Sequence, residues 1–225
     1  MAKSDSHPPA RALVVELDPL LLDGFALSAE TLDERLRKYG LAAGDPYRFV
    51  RQIYGKPLGE ALAALLPPSL DQAHVERRLA ATYSALLQQR AQQVQATIRA
   101  MFRPLAAAGV RVAVVTRLRP DIVAELAAGL PGEVLPLFDP SPLAVGLAPE
   151  TLQAAVVALA VPIRDCRALV ACGVSVRSAV RIGLRSAIVP SEMVAFENCA
   201  GADWMAERLD RAFLRRLKAY LGAGT

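Results

Sequence analysis

The sequence predicts a doubly wound α/β fold: a parallel sheet covered by helices on both faces, with an all-helical segment inserted after its first strand. Three observations carry this. Beyond residue 95, short apolar runs rich in β-branched residues alternate with longer helical patterns. About seventy residues of almost unbroken helical pattern separate the first apolar run from the second. The balance of 53% hydrophobic to 21% charged residues is that of a globular protein. Runs that are apolar throughout suit strands buried on both faces, as parallel sheets require.

Residues 12–17 (ALVVEL) read as the first strand. Residues 27–95 follow as a bundle of about four helices, punctuated by Gly40, Gly44-Asp45-Pro46, Gly55-Lys56-Pro57 and Pro67-Pro68. Heptad-like apolar spacing shows at Leu32, Leu36 and Tyr39, and again at Leu79, Tyr83 and Leu86. A crossover between parallel strands needs only about a dozen residues, so this segment is an insertion. Ligands of open α/β sheets bind at the carboxyl ends of the strands, which places the insertion over the site as a cap. A helix at 98–108, stopped by Gly109, leads to a strand at 110–116 (VRVAVVT). A helix at 120–128, a weaker strand at 134–138, a helix at 149–159 and a strand at 167–173 (RALVACG) come next. A short helix near Ser178 and a strand at 186–190 (SAIVP) complete a sheet of about five strands. The last helix, 204–221, sets Met205, Leu209, Phe213 and Leu217 on one side and arginines on the other. This organisation gives a leader at 1–10, a core of 11–26 and 96–225, and a cap domain at 27–95.

Composition narrows the functional classes. The longest apolar stretches, such as 152–161, fall short of the roughly 20 residues that span a bilayer, so no membrane association is expected. Cys166, Cys172 and Cys199 form no C-x-x-C pair, and His7 and His74 are the only histidines, which argues against zinc. An odd, small cysteine count fits a reducing compartment, and the cytoplasm is the expected one. The net charge of +4 collects at Arg208, Arg211, Arg215, Arg216 and Lys218. Base-stacking aromatics are not interleaved with them, so nucleic acid is not expected as a partner.

The stretch from Ala12 to Gly24, ALVVELDPLLLDG, resembles the first motif of the haloacid dehalogenase superfamily, a buried strand running into DxDGT. The subgroup it is most similar to has a helical cap after that motif, as in phosphoglycolate phosphatases and β-phosphoglucomutases. Gly55-Lys56-Pro57 is similar to a segment common in those caps, which makes Lys56 a candidate facing the site. The strand ending at Thr116 resembles the second motif. The resemblance, over about residues 11–190, implies a Rossmann-like core. It also implies an aspartate nucleophile and a second aspartate two residues on as acid/base, both pointing the same way. A threonine and a lysine would hold the phosphoryl oxygens, and further acids would complete a magnesium shell.

Measured against that pattern, the nucleophile position is Glu16, one methylene too long, in chemistry where about 1 Å of misplacement can cost about 10²-fold. Asp18 and Thr116 match. Pro19 and Leu20 replace the glycine and threonine, and Pro19 has no N–H to offer. Gly146 stands where the lysine is expected, with no lysine within seventy residues on either side. Val174 stands at a metal acid, and no acidic residue lies between Asp165 and Glu192. The chain is therefore expected to be a pseudoenzyme of this superfamily that serves as a binding or interaction scaffold, with no cofactor and a partner the sequence does not name. The alternative is a divergent phosphatase-like hydrolase using Glu16 and Asp18.

Overall fold

A computed structural model describes residues 11–41, 45, 47, 50–51, 54–128, 130, 132–141 and 143–222. The leader at 1–10, and Gly44 and Pro46 of the expected turn, lie outside the described residues. β1 (Ala12–Glu16) runs into a short helix α1 (Leu17–Leu21), and α2 (Gly24–Lys38), α3 (Leu58–Leu65), α4 (Gln72–Gln93) and α5 (Gln95–Ala107) lie between it and β2 (Arg111–Thr116). Then follow α6 (Pro120–Ala127), β3 (Val134–Phe138), α7 (Pro149–Leu159), β4 (Cys166–Val170), α8 (Gly173–Arg181), β5 (Arg185–Ile188), β6 (Trp204–Met205) and α9 (Arg211–Tyr220). The six strands are all parallel, in the order β3-β2-β1-β4-β5-β6. This is a Rossmann-like doubly wound sheet with helices inserted after its first strand.

Alternation along the strands builds two cores. Leu13, Val15, Val112 and Val114 lie on one face of the sheet and belong to the same apolar cluster as Leu32, Leu36, Leu79, Tyr83 and Leu87 of the inserted helices. Ala12, Val14, Ala113, Val115 and Ala168 face the other way, onto Leu152, Ala155 and Leu159 of α7 and Val176 and Ala179 of α8. The stripe on α4 runs through Leu87, whereas Leu86, expected from the sequence, is only partly buried.

Three expectations are corrected. Among the described residues the sheet has six strands, against the expected number of about five. The sixth, Trp204–Met205, falls where the sequence suggests the start of the last helix. That helix begins at Arg211, because the Asp210 side chain accepts a hydrogen bond from the Phe213 amide (2.8 Å) and caps it there. Met205 is consequently exposed and Trp204 packs on Phe213 and Tyr220. The strand expected at 167–173 ends at Val170, since α8 already starts at Gly173.

Candidate functional site

The strand order reverses between β1 and β4, and the carboxyl ends of β1, β2 and β3 bring three charged residues together: Asp18, Arg117 and Asp139. Glu16, Asp18 and Thr116 all come to this end, and all are buried, at 2%, 0% and 1% exposure. The two carboxylates do not share one direction. Glu16 lies on the α7/α8 face of β1, and its Oε2 accepts a hydrogen bond from the Ala171 amide (2.9 Å) just past β4. Asp18 sits in the first turn of α1 and turns toward β2. Its Oδ1 accepts from the Thr116 hydroxyl, and its Oδ2 from the Arg117 amide (2.9 Å) and Nη1 (3.0 Å). The cause is the period of the strand: position 16 faces one side of the sheet, and the helical turn that follows carries position 18 to the other.

Arg117 is the residue that sequence reasoning missed. Its guanidinium, 7% exposed, bonds Asp18 through Nη1, Asp139 through Nη2 (2.7 Å) and the Ser141 carbonyl through Nε (2.7 Å). Asp139 in turn accepts from the Ser141 amide (2.9 Å). An arginine stays charged in any protein environment, so one fixed cation lies between two carboxylates. A signal was available: Asp18, Arg117 and Asp139 each follow closely on a strand, where binding groups of this architecture gather. Burial raises Asp18 above its ordinary range, opposed by Arg117 and by the hydrogen bond from Thr116. Burial also raises Glu16 to about 7, opposed by the bonds from Ala171 and Ser175. Burial thus favours the neutral form of Glu16, a poor state for a nucleophile.

These residues do not fit magnesium. That ion wants about six oxygens in a near-octahedral shell. Both oxygens of Asp18 and one of Glu16 are committed to donors, a guanidinium stands 3.0 Å from Asp18, and Val174 offers carbon. Among the described residues no group of three potential metal ligands occurs. The expected lysine and acid positions are locked into one packing contact instead. Gly146 has φ +88°, and a Cβ there would stand 2.7 Å from the Val174 Cβ and 2.8 Å from its Cγ1. The glycine and the valine therefore imply each other.

Tyr54 closes the site from the inserted segment. Its hydroxyl accepts a hydrogen bond from the Val174 amide (3.1 Å), and its ring meets Phe25 and Phe196 edge-on. The next amide, of Gly55, donates to the Val145 carbonyl (3.3 Å). Lys56 is exposed and lines a cleft outside this seal, apart from Glu16, Asp18 and Thr116.

Comparison with solved structures places this arrangement. CbbY from Rhodobacter sphaeroides, solved in complex with phosphate, superposes with a TM-score of 0.63 at 20% identity, over 88% of this chain and 94% of that one. The fold is that of the haloacid dehalogenase-like proteins. A haloacid dehalogenase-like family hydrolase from Streptococcus pneumoniae matches at TM-score 0.67 and 12% identity, over 94% of this chain and 98% of its own. A phosphonoacetaldehyde hydrolase-like protein from Oleispira antarctica matches at 0.65 and 15%, over 100% and 99%. No protein-family model matches the chain, and no curated relative matches it. The chain thus shares the haloacid dehalogenase-like fold with these structures over 88% to 100% of its length, at 12% to 20% identity. Within it, the strand ends carry a buried Asp18–Arg117–Asp139 array.

Proposed function

We propose that this chain is a haloacid dehalogenase-like pseudoenzyme: residues 27–95 form the cap, and the fold persists as a binding scaffold without phosphate-ester hydrolysis. The observation that carries the reading is Arg117. Its guanidinium and amide hold Asp18 Oδ2 while the Thr116 hydroxyl holds Oδ1, so both oxygens that an acid/base would need free are bonded within the chain. Glu16 supports the same reading, since its carboxyl is buried, is pushed toward its neutral form and accepts a hydrogen bond from the Ala171 amide. Three unpaired cysteines support a reducing, cytoplasmic setting.

The test is turnover of a chromogenic phosphate ester with magnesium, comparing the native protein with Glu16→Ala. Equal, background rates are expected. Restoring the motif residues singly, as Glu16→Asp, Val174→Asp or Gly146→Lys, is also expected to leave background rates, because nucleophile, metal and phosphate clamp act as one unit. A hundredfold rise on Glu16→Asp alone would show a detuned enzyme and overturn the proposal. Titration with magnesium is expected to give a dissociation constant weaker than about 100 μM, as a site short of oxygens would.

A further inference from the structure

Beside the sealed carboxylates lies an open cleft of about 650 Å³, lined by none of Glu16, Asp18, Thr116 and Arg117. Val174 lines it, the residue whose other side packs on Gly146. One wall is α8, which presents Arg177 and Arg181 four residues apart, hence neighbours on one helix face. Ser178 lies between them. Across the cleft, the turn that Tyr54 pins to the core carries Lys56. Pro149, in the first turn of α7, closes one end and brings the positive end of that helix dipole with it. A second hollow continues past Gly146 and Ala148, sharing Lys56, Pro149, Val174 and Ser178 with the first.

Among the described residues three cations line this space against one carboxylate, Glu197, which already reaches toward Arg177 at 3.4 Å. The whole chain carries a net charge of only +4, so the local excess of two is a large share of it. Gathering like charges in a concavity is unfavourable in the free protein, and low-dielectric walls focus their field on whatever enters. The arginine forks match the paired oxygens of a phosphate or carboxylate, while a lysine serves as a point charge. Val174, Val180 and Pro149 leave apolar surface for the body of a ligand. The volume lies within the roughly 300–1,000 Å³ of small-molecule sites.

We propose that this cleft binds a small, multiply charged oxyanion, a phosphate-bearing or polycarboxylate ligand, between Lys56 on one wall and Arg177 and Arg181 on the other. The proposal gives the scaffold reading above a ligand, and rests on that reading in holding the ligand without turning it over. Isothermal titration with pyrophosphate and, separately, with citrate, both free of divalent cations, tests it. Saturable one-to-one binding of at least one probe is expected, weakened at least about tenfold by Arg181→Gln and by Lys56→Gln, since each removes a charge-assisted contact. Affinity should fall as salt rises, as for any partly exposed charge pair. Arg208→Gln, on the exposed segment before α9, should leave it unchanged. Both cleft substitutions are at exposed positions, and circular dichroism of each variant is the check that it folds. Absence of saturable binding, or binding indifferent to both substitutions, overturns the cleft site and leaves the non-catalytic reading standing. Release of phosphate from bound pyrophosphate on adding magnesium would do the reverse.

Discussion

Between pH 4.5 and about 7 the folded chain keeps a proton on Glu16 that the unfolded chain has released, because burial raises this carboxyl from 4.5 to about 7. Protons bound preferentially by the folded state mean that the contribution of Glu16 to stability is fully present below 4.5 and is lost as pH rises through the window. The shift is worth up to about 3 kcal/mol. Urea unfolding followed from pH 4.5 to 8 should therefore show declining stability, and Glu16→Gln, which cannot ionise, should flatten that decline. A variant with the native pH profile would show that Glu16 is not the group responsible. Arg117 predicts the opposite kind of effect. Arg117→Met leaves Asp18 and Asp139 buried without their cation, and removing one partner of a buried pair costs about 3–5 kcal/mol. A loss below about 1 kcal/mol at pH 7 would fit only a solvated, surface-like pair. At Gly146, a lysine must take φ +88° and push against Val174, at a cost of about 1–3 kcal/mol of overpacking. Val174→Ala in the same chain should recover part of that loss. A double-mutant cycle with no coupling would mean that the two positions are independent.

Among the elements, the turn at Tyr54–Gly55 fastens the inserted helices to the core beside the site. It does so with two hydrogen bonds, Val174 amide to Tyr54 hydroxyl and Gly55 amide to Val145 carbonyl, and with the edge contacts of the Tyr54 ring. Tyr54→Phe keeps the ring and deletes one acceptor, which should cost about 1 kcal/mol and leave the Val174 amide unpaired. Hydrogen exchange at that amide should accelerate while α4, held through Val75, Leu79, Tyr83 and Leu87, keeps its protection. Unchanged exchange at Val174 would show that the hydroxyl contributes nothing to the closure. The α9 boundary teaches a related lesson. An apolar stripe at four-residue spacing extends the apparent helix back to Met205, but the capping carboxylate of Asp210 and the pairing of Trp204 with Ala187 decide where it begins.

Across the molecule, one apolar cluster runs from the inserted helices through the sheet face to α9, joining Leu32, Leu79 and Tyr83 to Val15, Val114, Phe213 and Leu217. Helices that complete a core shared with the sheet have little reason to unfold by themselves. Urea denaturation should give one transition with coincident midpoints by far-ultraviolet circular dichroism and by the fluorescence of Trp204, the single tryptophan. Circular dichroism weighs the long inserted helices, whereas Trp204 reports β6 and α9. Separated midpoints would mean that the 27–95 segment folds as an independent unit.

The sequence by itself determined the layers: short apolar runs rich in β-branched residues and bounded by turn signals read as buried strands, and the stretch after β1 is too long and too helical to be a crossover. It also showed where the chain departs from the motifs it resembles, because Gly146 and Val174 are visible at the expected lysine and acid positions. How the residues at the strand ends are engaged was decided by tertiary structure alone. That Glu16 turns to Ala171 while Asp18 turns to Thr116 depends on which face of β1 each residue meets and on which strands flank it. That Arg117 joins Asp18 and Asp139 depends on three strands lying side by side, although the residues are 99 and 22 positions apart. The cleft of Lys56, Arg177 and Arg181 likewise draws its cations from segments more than a hundred residues apart. Local pattern encodes burial, which each residue largely decides for itself. Charge pairing depends on distance in space, and only the folded chain sets that.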